Sequence, residues 1–483
     1  MINFKVIINV LGRLVIMLGL LMMTSIIPAF FYDIPDILPL LYSSLITIGI
    51  GLLSYFFTRS SDFVLSKREG YFIVSAGWLI MALLGSLPFV ISGHIPKLTD
   101  AFFETMSGFT TTGASILTNI EAMPEGLLFW RSMTHWIGGM GIIVLTIAII
   151  PFLGIGGMQL FVAEVPGITP DKLHPRIRVT AMRLWAIYCI FTLLEFILLM
   201  AGGMDWFDAI NHSFATMATG GFSTKNNSIA AFDSTYIHVV ITIFMFIAGA
   251  NFTLSYFAIA KRDLKKMFFD QEFRFYTFVI VLTGLVVAVV LVLKRGYEPG
   301  FALRDSFFTV VSLITTTGFC TKNYEEWTLF VKIIMLVLMF LGGCAGSTGG
   351  GIKMIRHRLL LINVSAEFRK LMHPRAIIPI RHNHKIVSSE IVSNVLAFFY
   401  IYMIIFIFSS LVMLALGLDF ETAISAVASC LGNVGPGLGQ VYPWGNYAGI
   451  PDFGKWFLSL LMLIGRLELF TVLILFSRVY WKQ

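Results

Sequence analysis

Eighteen consecutive residues, from Tyr276 to Leu293, carry no charge, and Ile137 to Leu153 is a second such run. Uncharged apolar stretches of about this length read as segments that cross a bilayer. No water satisfies backbone polar groups there, so only helices or a closed barrel can span it, and long continuous runs select helices. With 57% hydrophobic and 13% charged residues over 483 positions, the useful unit of organisation is the span rather than the soluble domain. The first apolar run follows Lys5 and Arg13 and continues to Phe31 with no small-residue cleavage site behind it, so it is expected to remain as a span.

The net charge of +7 is not spread evenly. Basic residues gather between alternate spans: Arg59, Lys67 and Arg68; Lys172, Arg176, Arg178 and Arg183; Lys261, Arg262, Lys265, Lys266 and Arg274. The largest group runs from Lys353 to Lys385 and is expected to be a cytoplasmic loop. This is the positive-inside bias, which assigns all four groups to the cytoplasm. It makes lipid the expected surface partner and argues against nucleic acid. Cys189, Cys320, Cys344 and Cys430 show neither metal-ligand spacing nor a disulfide framework.

The outward-facing segments repeat. They read DAFFETMSGFTTTGAS from Asp100, DAINHSFATMATGGFST from Asp208 and DSFFTVVSLITTTGFCT from Asp305, and the Asp-to-Gly distance is 13 in each. A divergent fourth copy, DFETAISAVASCLGNVGPGLG, begins at Asp419. Each lies between two apolar runs, predicted at about 70–92 and 128–153, 181–203 and 235–260, 275–294 and 328–350, and 388–417 and 454–480. Two further spans, near 8–32 and 38–58, precede them. The predicted fold is an all-α polytopic membrane protein, with two N-terminal spans and four pseudo-repeated span–pore loop–span units around a central pore. Its divisions are 1–69, 70–170, 171–274, 275–385 and 386–483.

About 12 residues of helix cover only about 18 Å, too little to cross. The repeated segments are therefore expected to enter and turn back. Asp100, Asp208, Asp305 and Asp419 are expected to cap them. Non-helical backbone at membrane depth is tolerated only where protein buries it or a water-filled cavity adjoins it. Threonine and glycine at the turn suit an extended strand whose carbonyl oxygens replace the water around a dehydrated cation. The oxygen-bearing candidates are Thr111, Thr112 and Gly113; Thr219, Gly220 and Gly221; and Thr316, Thr317 and Gly318. In the fourth copy the spacing from Asp419 points to Gly432, while the string Asn433, Val434, Gly435 supplies a glycine before an extended turn.

Two features lie outside these turns. The glycine-dense run 342–351, with Gly342, Gly343, Gly346, Ser347, Thr348, Gly349, Gly350 and Gly351, interrupts a span and is a poor helix. It is either a plain kink or a flap beneath the turns. Arg466 sits within the last span, where a charge is costly and faces a cavity or a partner. It either packs against an acid such as Glu468 or raises a barrier in the inner half of the pore. His135 and His212 lack partners at metal-ligand spacing and are expected to support the short helices. No Ser–His or His–Asp constellation repeats with the symmetry and no nucleotide fingerprint appears, so an enzyme is not expected.

The strings TTTGAS, GGMGI (138–142), TGGFST, GGCAGSTGGGIK (342–353), GNVGPGLG (432–439) and GRLE (465–468) resemble the Trk/Ktr/HKT superfamily of potassium transporters, in particular its Trk-system uptake branch. The resemblance covers nearly the whole chain. It implies potassium uptake across the bacterial inner membrane through a filter whose glycines are Gly113, Gly221, Gly318 and Gly435. It implies that the run 342–351 is an intramembrane gating loop and that Arg466 faces the pore. It also implies a homodimer and a cytosolic regulatory subunit that binds NAD or ATP. Potassium is the only cofactor-like species expected, with no organic cofactor. A serine in place of the first filter glycine marks sodium-preferring relatives, so Gly113 points toward potassium. A sodium-carrying or non-selective permease is the alternative, and energy coupling, symport or channel-like, stays open.

Overall fold

The computed structural model describes residues 2–32, 36–58, 66–139, 141, 177–383 and 385–482. Among these, helices account for nearly all regular structure, with a two-stranded hairpin pairing Arg381–His382 with Lys385–Ile386. Among the described residues six helical segments are long and apolar enough to cross a membrane, or up to eight if two bent pairs each count as one span. The outward faces of these helices carry large apolar side chains such as Leu193, Val289 and Phe408. Such exposure would be costly in water and is suited to lipid.

Ten spans are expected from the sequence, one of them interrupted by the glycine run; among the described residues, two further closing spans are also bent. The spanning segments are the first two and the opening segment of each repeat: Phe4–Phe31, Ile37–Phe57, Arg68–Ile91, Ala181–Ala201, Gln271–Arg295 and Ser389–Ala415. The closing helices of the second and fourth repeats bend sharply. Thr235–Ala248 turns by 105° into Phe252–Ala260, and Asp452–Arg466 turns by 112° into Phe470–Phe476. At the first break the Asn251 side chain caps the new helix at Thr253 N. At the second, Glu468 and Leu469 take φ of 55° and 58°. In the third repeat Leu329–Leu338 stops short of the glycine run, where a helix would lose most to backbone entropy. The expected second half of span 128–153, and Arg59, Lys172 and Arg176, lie outside the described residues.

The basic stretch expected as a loop from Lys353 is instead the 19-residue helix Met354–Met372, followed by the hairpin. Its Leu, Arg, Lys, Met and Glu content favours helix even where no membrane imposes one. Between the opening and closing helices sit four short helices, Leu98–Phe109, Trp206–Met217, Pro299–Ile314 and Phe420–Gly432. Each packs on the closing helix of the repeat before it. Asp100 meets Lys455, Phe214 meets Phe129 and Trp136, Phe308 meets His238, and Glu421 meets Lys332. The first short helix thereby contacts the fourth closing helix, and the cycle closes on itself.

Candidate functional site

All four short helices end in the same way. The first residue to leave helical geometry in the left-handed sense is Thr111 (φ 52°), Thr219 (53°), Thr316 (59°) or Asn433 (55°). Two residues on, Gly113, Gly221, Gly318 and Gly435 have φ of 82°, 81°, 81° and 100°. Between them, the N–H of Thr112, Gly220, Thr317 and Val434 donates to the carbonyl five residues back, on Ser107, Ala215, Ser312 and Ser429, at 2.9, 2.8, 2.8 and 2.9 Å. Such a bond ends a helix by a wide turn. Threonine is β-branched and strongly disfavours positive φ. Three threonines strained at one equivalent position are held there by their surroundings, and such strain gathers at functional sites.

This pattern fixes the fourth register. Gly435, and not Gly432, has the positive φ and the place in the turn; Gly432 is still helical. The aspartates shift with it. The residues before the four helices are Lys97, Asp205, Glu298 and Asp419, so Asp100, Asp208 and Asp305 are not caps. Asp419 does cap, accepting from Thr422 N at 3.0 Å. Because the other helices begin earlier, Asp208 and Asp305 lie inside them. Their carboxylates hold the returning strand, Asp208 at the Thr224 hydroxyl (2.5 Å) and Asp305 at the Thr321 hydroxyl (3.3 Å).

The four turns form a closed ring. A Cβ built on Gly113 would lie 2.1 Å from the Gly220 carbonyl oxygen, on Gly221 1.9 Å from that of Thr317, on Gly318 2.2 Å from that of Val434, and on Gly435 2.6 Å from that of Thr112. Each glycine therefore faces the carbonyl that precedes the next glycine, in the order one, two, three, four, one. Only a residue without a side chain fits at any of the four places. The short helices bring their carbonyl ends to this ring, and with them the partly negative ends of their dipoles. Wall contacts hold the neighbouring side chains: Thr110 to Thr112 and Thr315 to Thr317 at 2.8 Å between hydroxyls, and Asn433 Nδ2 to Thr112 Oγ1 at 3.0 Å. Among the described residues the buried Thr111 hydroxyl has no hydrogen-bond partner.

Behind the ring stand two residues that the sequence reading did not select, Glu104 and Arg131, beside the two histidines that it did. Glu104, in the first short helix, accepts from the Ser115 hydroxyl (2.9 Å), Ile116 N (2.8 Å) and Arg131 Nε (2.7 Å). Arg131 also donates to the Ser223 carbonyl at 3.0 Å and lies 3.5 Å from the centre of the Phe222 ring. His135 stacks on Phe222 at 3.9 Å between centroids, bonds the Gly108 carbonyl at 2.7 Å and accepts from Phe222 N at 3.2 Å. His212 reaches the Ser223 hydroxyl at 2.9 Å. Both histidines thus support the short helices. The available signal for Arg131 was its charge inside a predicted span, which is costly without a partner.

The glycine-dense run lies against the inner side of the ring. Gly342 and Gly351 bridge antiparallel and close it into a loop. Gly350 N donates to Thr316 Oγ1 at 2.7 Å, and the Thr348 hydroxyl lies 3.0 Å from the Met217 carbonyl and 3.4 Å from the Thr219 hydroxyl. The loop thus bonds Thr316 and Thr219 and packs against a third left-handed residue, Asn433, at Gly350. Arg466 donates to the Thr348 carbonyl at 2.6 Å and to the Gly138 carbonyl at 2.8 Å, joining the loop to the last and first closing helices. Glu468 pairs with Arg356. Glu468 lies past the helix end, in the left-handed break. Glu272 accepts from Ala345 N (2.7 Å) and Ile355 N (3.1 Å), one bond inside the loop and one just beyond it. Ser347 closes a local turn on the Cys344 carbonyl at 2.7 Å.

Comparison with known proteins places the whole chain in one family. A family described as TrkH, cation transport protein, matches residues 40–482. The Trk system potassium uptake protein TrkH of Escherichia coli K12 is 41% identical over 485 residues, covering 100% of both chains. The same organism's Trk system potassium uptake protein TrkG is 34% identical, covering 100% of this chain and 99% of its own. The crystal structure of the potassium transporter TrkH from Vibrio parahaemolyticus superimposes with a TM-score of 0.90 at 38% identity, covering 100% of each chain.

Proposed function

The chain belongs to the TrkH family of cation transport proteins, and on that premise we propose that it takes up potassium through the ring formed by its four helix-ending turns. It is a multi-pass inner-membrane transporter rather than an enzyme. The observation that carries the reading is the closed ring itself, with a carbonyl of Thr112, Gly220, Thr317 or Val434 set against each successive glycine. Oxygens so arranged replace the hydration shell of a dehydrated cation. The ion contacts are made by residues 111–113, 219–221, 316–318 and 433–435, and the unpartnered Thr111 hydroxyl supplies a further oxygen at the inner end.

In the same reading the loop 342–351 is the gate and Arg466 its latch. Bonds from Gly350 and Thr348 hold the loop against the ring, and Arg466 adds a positive charge on the path the ion takes. A cation in a low-dielectric channel is strongly repelled by such a charge. Opening then requires a partner with different affinities for the two loop states. The family resemblance supplies that partner as a cytosolic subunit binding NAD or ATP, and it supplies a homodimer as the assembly. The test is potassium and sodium flux into liposomes holding the purified chain, with and without the cytosolic subunit. Potassium flux that exceeds sodium flux and rises with the partner supports the reading. Equal fluxes favour the non-selective alternative.

A further inference from the structure

We infer that the buried pair Glu104–Arg131 is a specificity-determining brace that sets the width of the ring between its first and second turns. The inference rests on the filter reading and adds residues that make no ion contact. The two side chains are 0% and 2% exposed, and Arg131 Nε lies 2.7 Å from Glu104 Oε1. Each holds a different strand. Glu104 grips the strand leaving Gly113, through Ser115 and Ile116. Arg131 grips the strand leaving Gly221, through the Ser223 carbonyl and the Phe222 ring, whose other contact is the stacked His135. One ion pair therefore joins two adjacent quarters of the ring immediately outside the glycines.

The position is functionally unequal among the repeats. Nine residues before the glycine stand Glu104, His212, Thr309 and Ala426. His212 bonds Ser223 as Glu104 bonds Ser115, and both serines lie two residues after their glycine. Thr309 and Ala426 bring no charge. Beside the glycines the other seams are bridged by neutral bonds, Cys320 N to Ser228 Oγ at 3.3 Å, Tyr324 OH to Gly437 O at 2.9 Å, and Tyr447 N to Ser115 O at 2.8 Å, while the ion pairs Lys332–Glu421 and Lys455–Asp100 lie at the first turns of the short helices. A buried ion pair is weak evidence for stability, since desolvation offsets its attraction. What it supplies is geometry, because the planar guanidinium holds its partners in fixed directions. Glu104 and Arg131 are thus positioning residues. They act on the ion through Gly113 and Gly221.

The test is the potassium-to-sodium permeability ratio of the full-length chain in planar bilayers. In Arg131→Lys the charge remains and the fork is lost, and the ratio is expected to fall roughly tenfold, the size of one hydrogen bond to a charged group. The neutral pair Glu104→Gln with Arg131→Met leaves no unpaired charge, so folding is retained, as checked by size-exclusion profile and thermal melting in detergent. Its ratio is expected to fall as far. A parental ratio in Arg131→Lys, or in a folded neutral pair, overturns the brace. If the parental chain itself fails to discriminate, the filter reading fails instead.

Discussion

At Gly113 the case for a filter is a matter of space. Serine there puts a Cβ 2.1 Å from the Gly220 carbonyl oxygen, and it must also adopt a φ of 82°. The left-handed backbone alone costs an L-residue about 1–2 kcal/mol, and the overlap is added to that. The Gly220 carbonyl has to move, so Gly113→Ser should lower potassium-over-sodium discrimination by roughly tenfold or more, measured as a reversal-potential shift. Arg466 makes a different prediction. Its bonds to Thr348 and Gly138 join the loop to two closing helices. Losing a charged donor costs on the order of 1.5–3 kcal/mol per bond. Arg466→Ala should therefore raise potassium flux without the cytosolic subunit roughly tenfold in liposomes; unchanged flux would remove it as a latch.

Among elements, the fourth short helix and the glycine loop are the informative ones. Gly435→Ala should reduce selectivity more than Gly432→Ala, because only the former adds a side chain inside the ring, 2.6 Å from the Thr112 carbonyl. Gly432→Ala instead presses on the Met339 carbonyl at 2.7 Å and should show first as lower thermal stability. The opposite order would displace the ring by one helical turn. Thr348→Val removes the hydroxyl beside Met217 and should raise basal flux and blunt the response to the partner. Much of this element plan was legible beforehand, because TTTG, TGG and TTTG recur at one spacing from an aspartate. The aspartate's role was not legible, since helix starts depend on residues such as Asp205 that the alignment skipped. Nor were the breaks in the second and fourth closing helices, which follow from Asn251, Glu468 and Leu469 meeting their neighbours in three dimensions, whereas the glycine run of the third was visible. Glu104 and Arg131 were hidden for the same reason. They are 27 residues apart and meet only once the first repeat has folded.

Over the whole molecule, two buried clusters divide the helices. One draws mainly on the N-terminal helices and the first and fourth repeats, the other on the second and third. The ring lies where the two halves meet, so its width depends on packing from every repeat. The basic helix Met354–Met372 follows directly on the glycine loop, and Arg358 bonds Gln271 beside Glu272, which grips the loop. A partner acting on that helix therefore has a continuous route to the ring's inner face. The central claim is that four unequal turns act as one filter. It is tested most directly by the potassium-to-sodium permeability ratio of the four single variants Gly113→Ser, Gly221→Ser, Gly318→Ser and Gly435→Ser, measured in the same bilayer. The account predicts that all four lose discrimination, because each serine meets the carbonyl of the next turn. A parental ratio in any one of them would contradict a ring in which every repeat takes part.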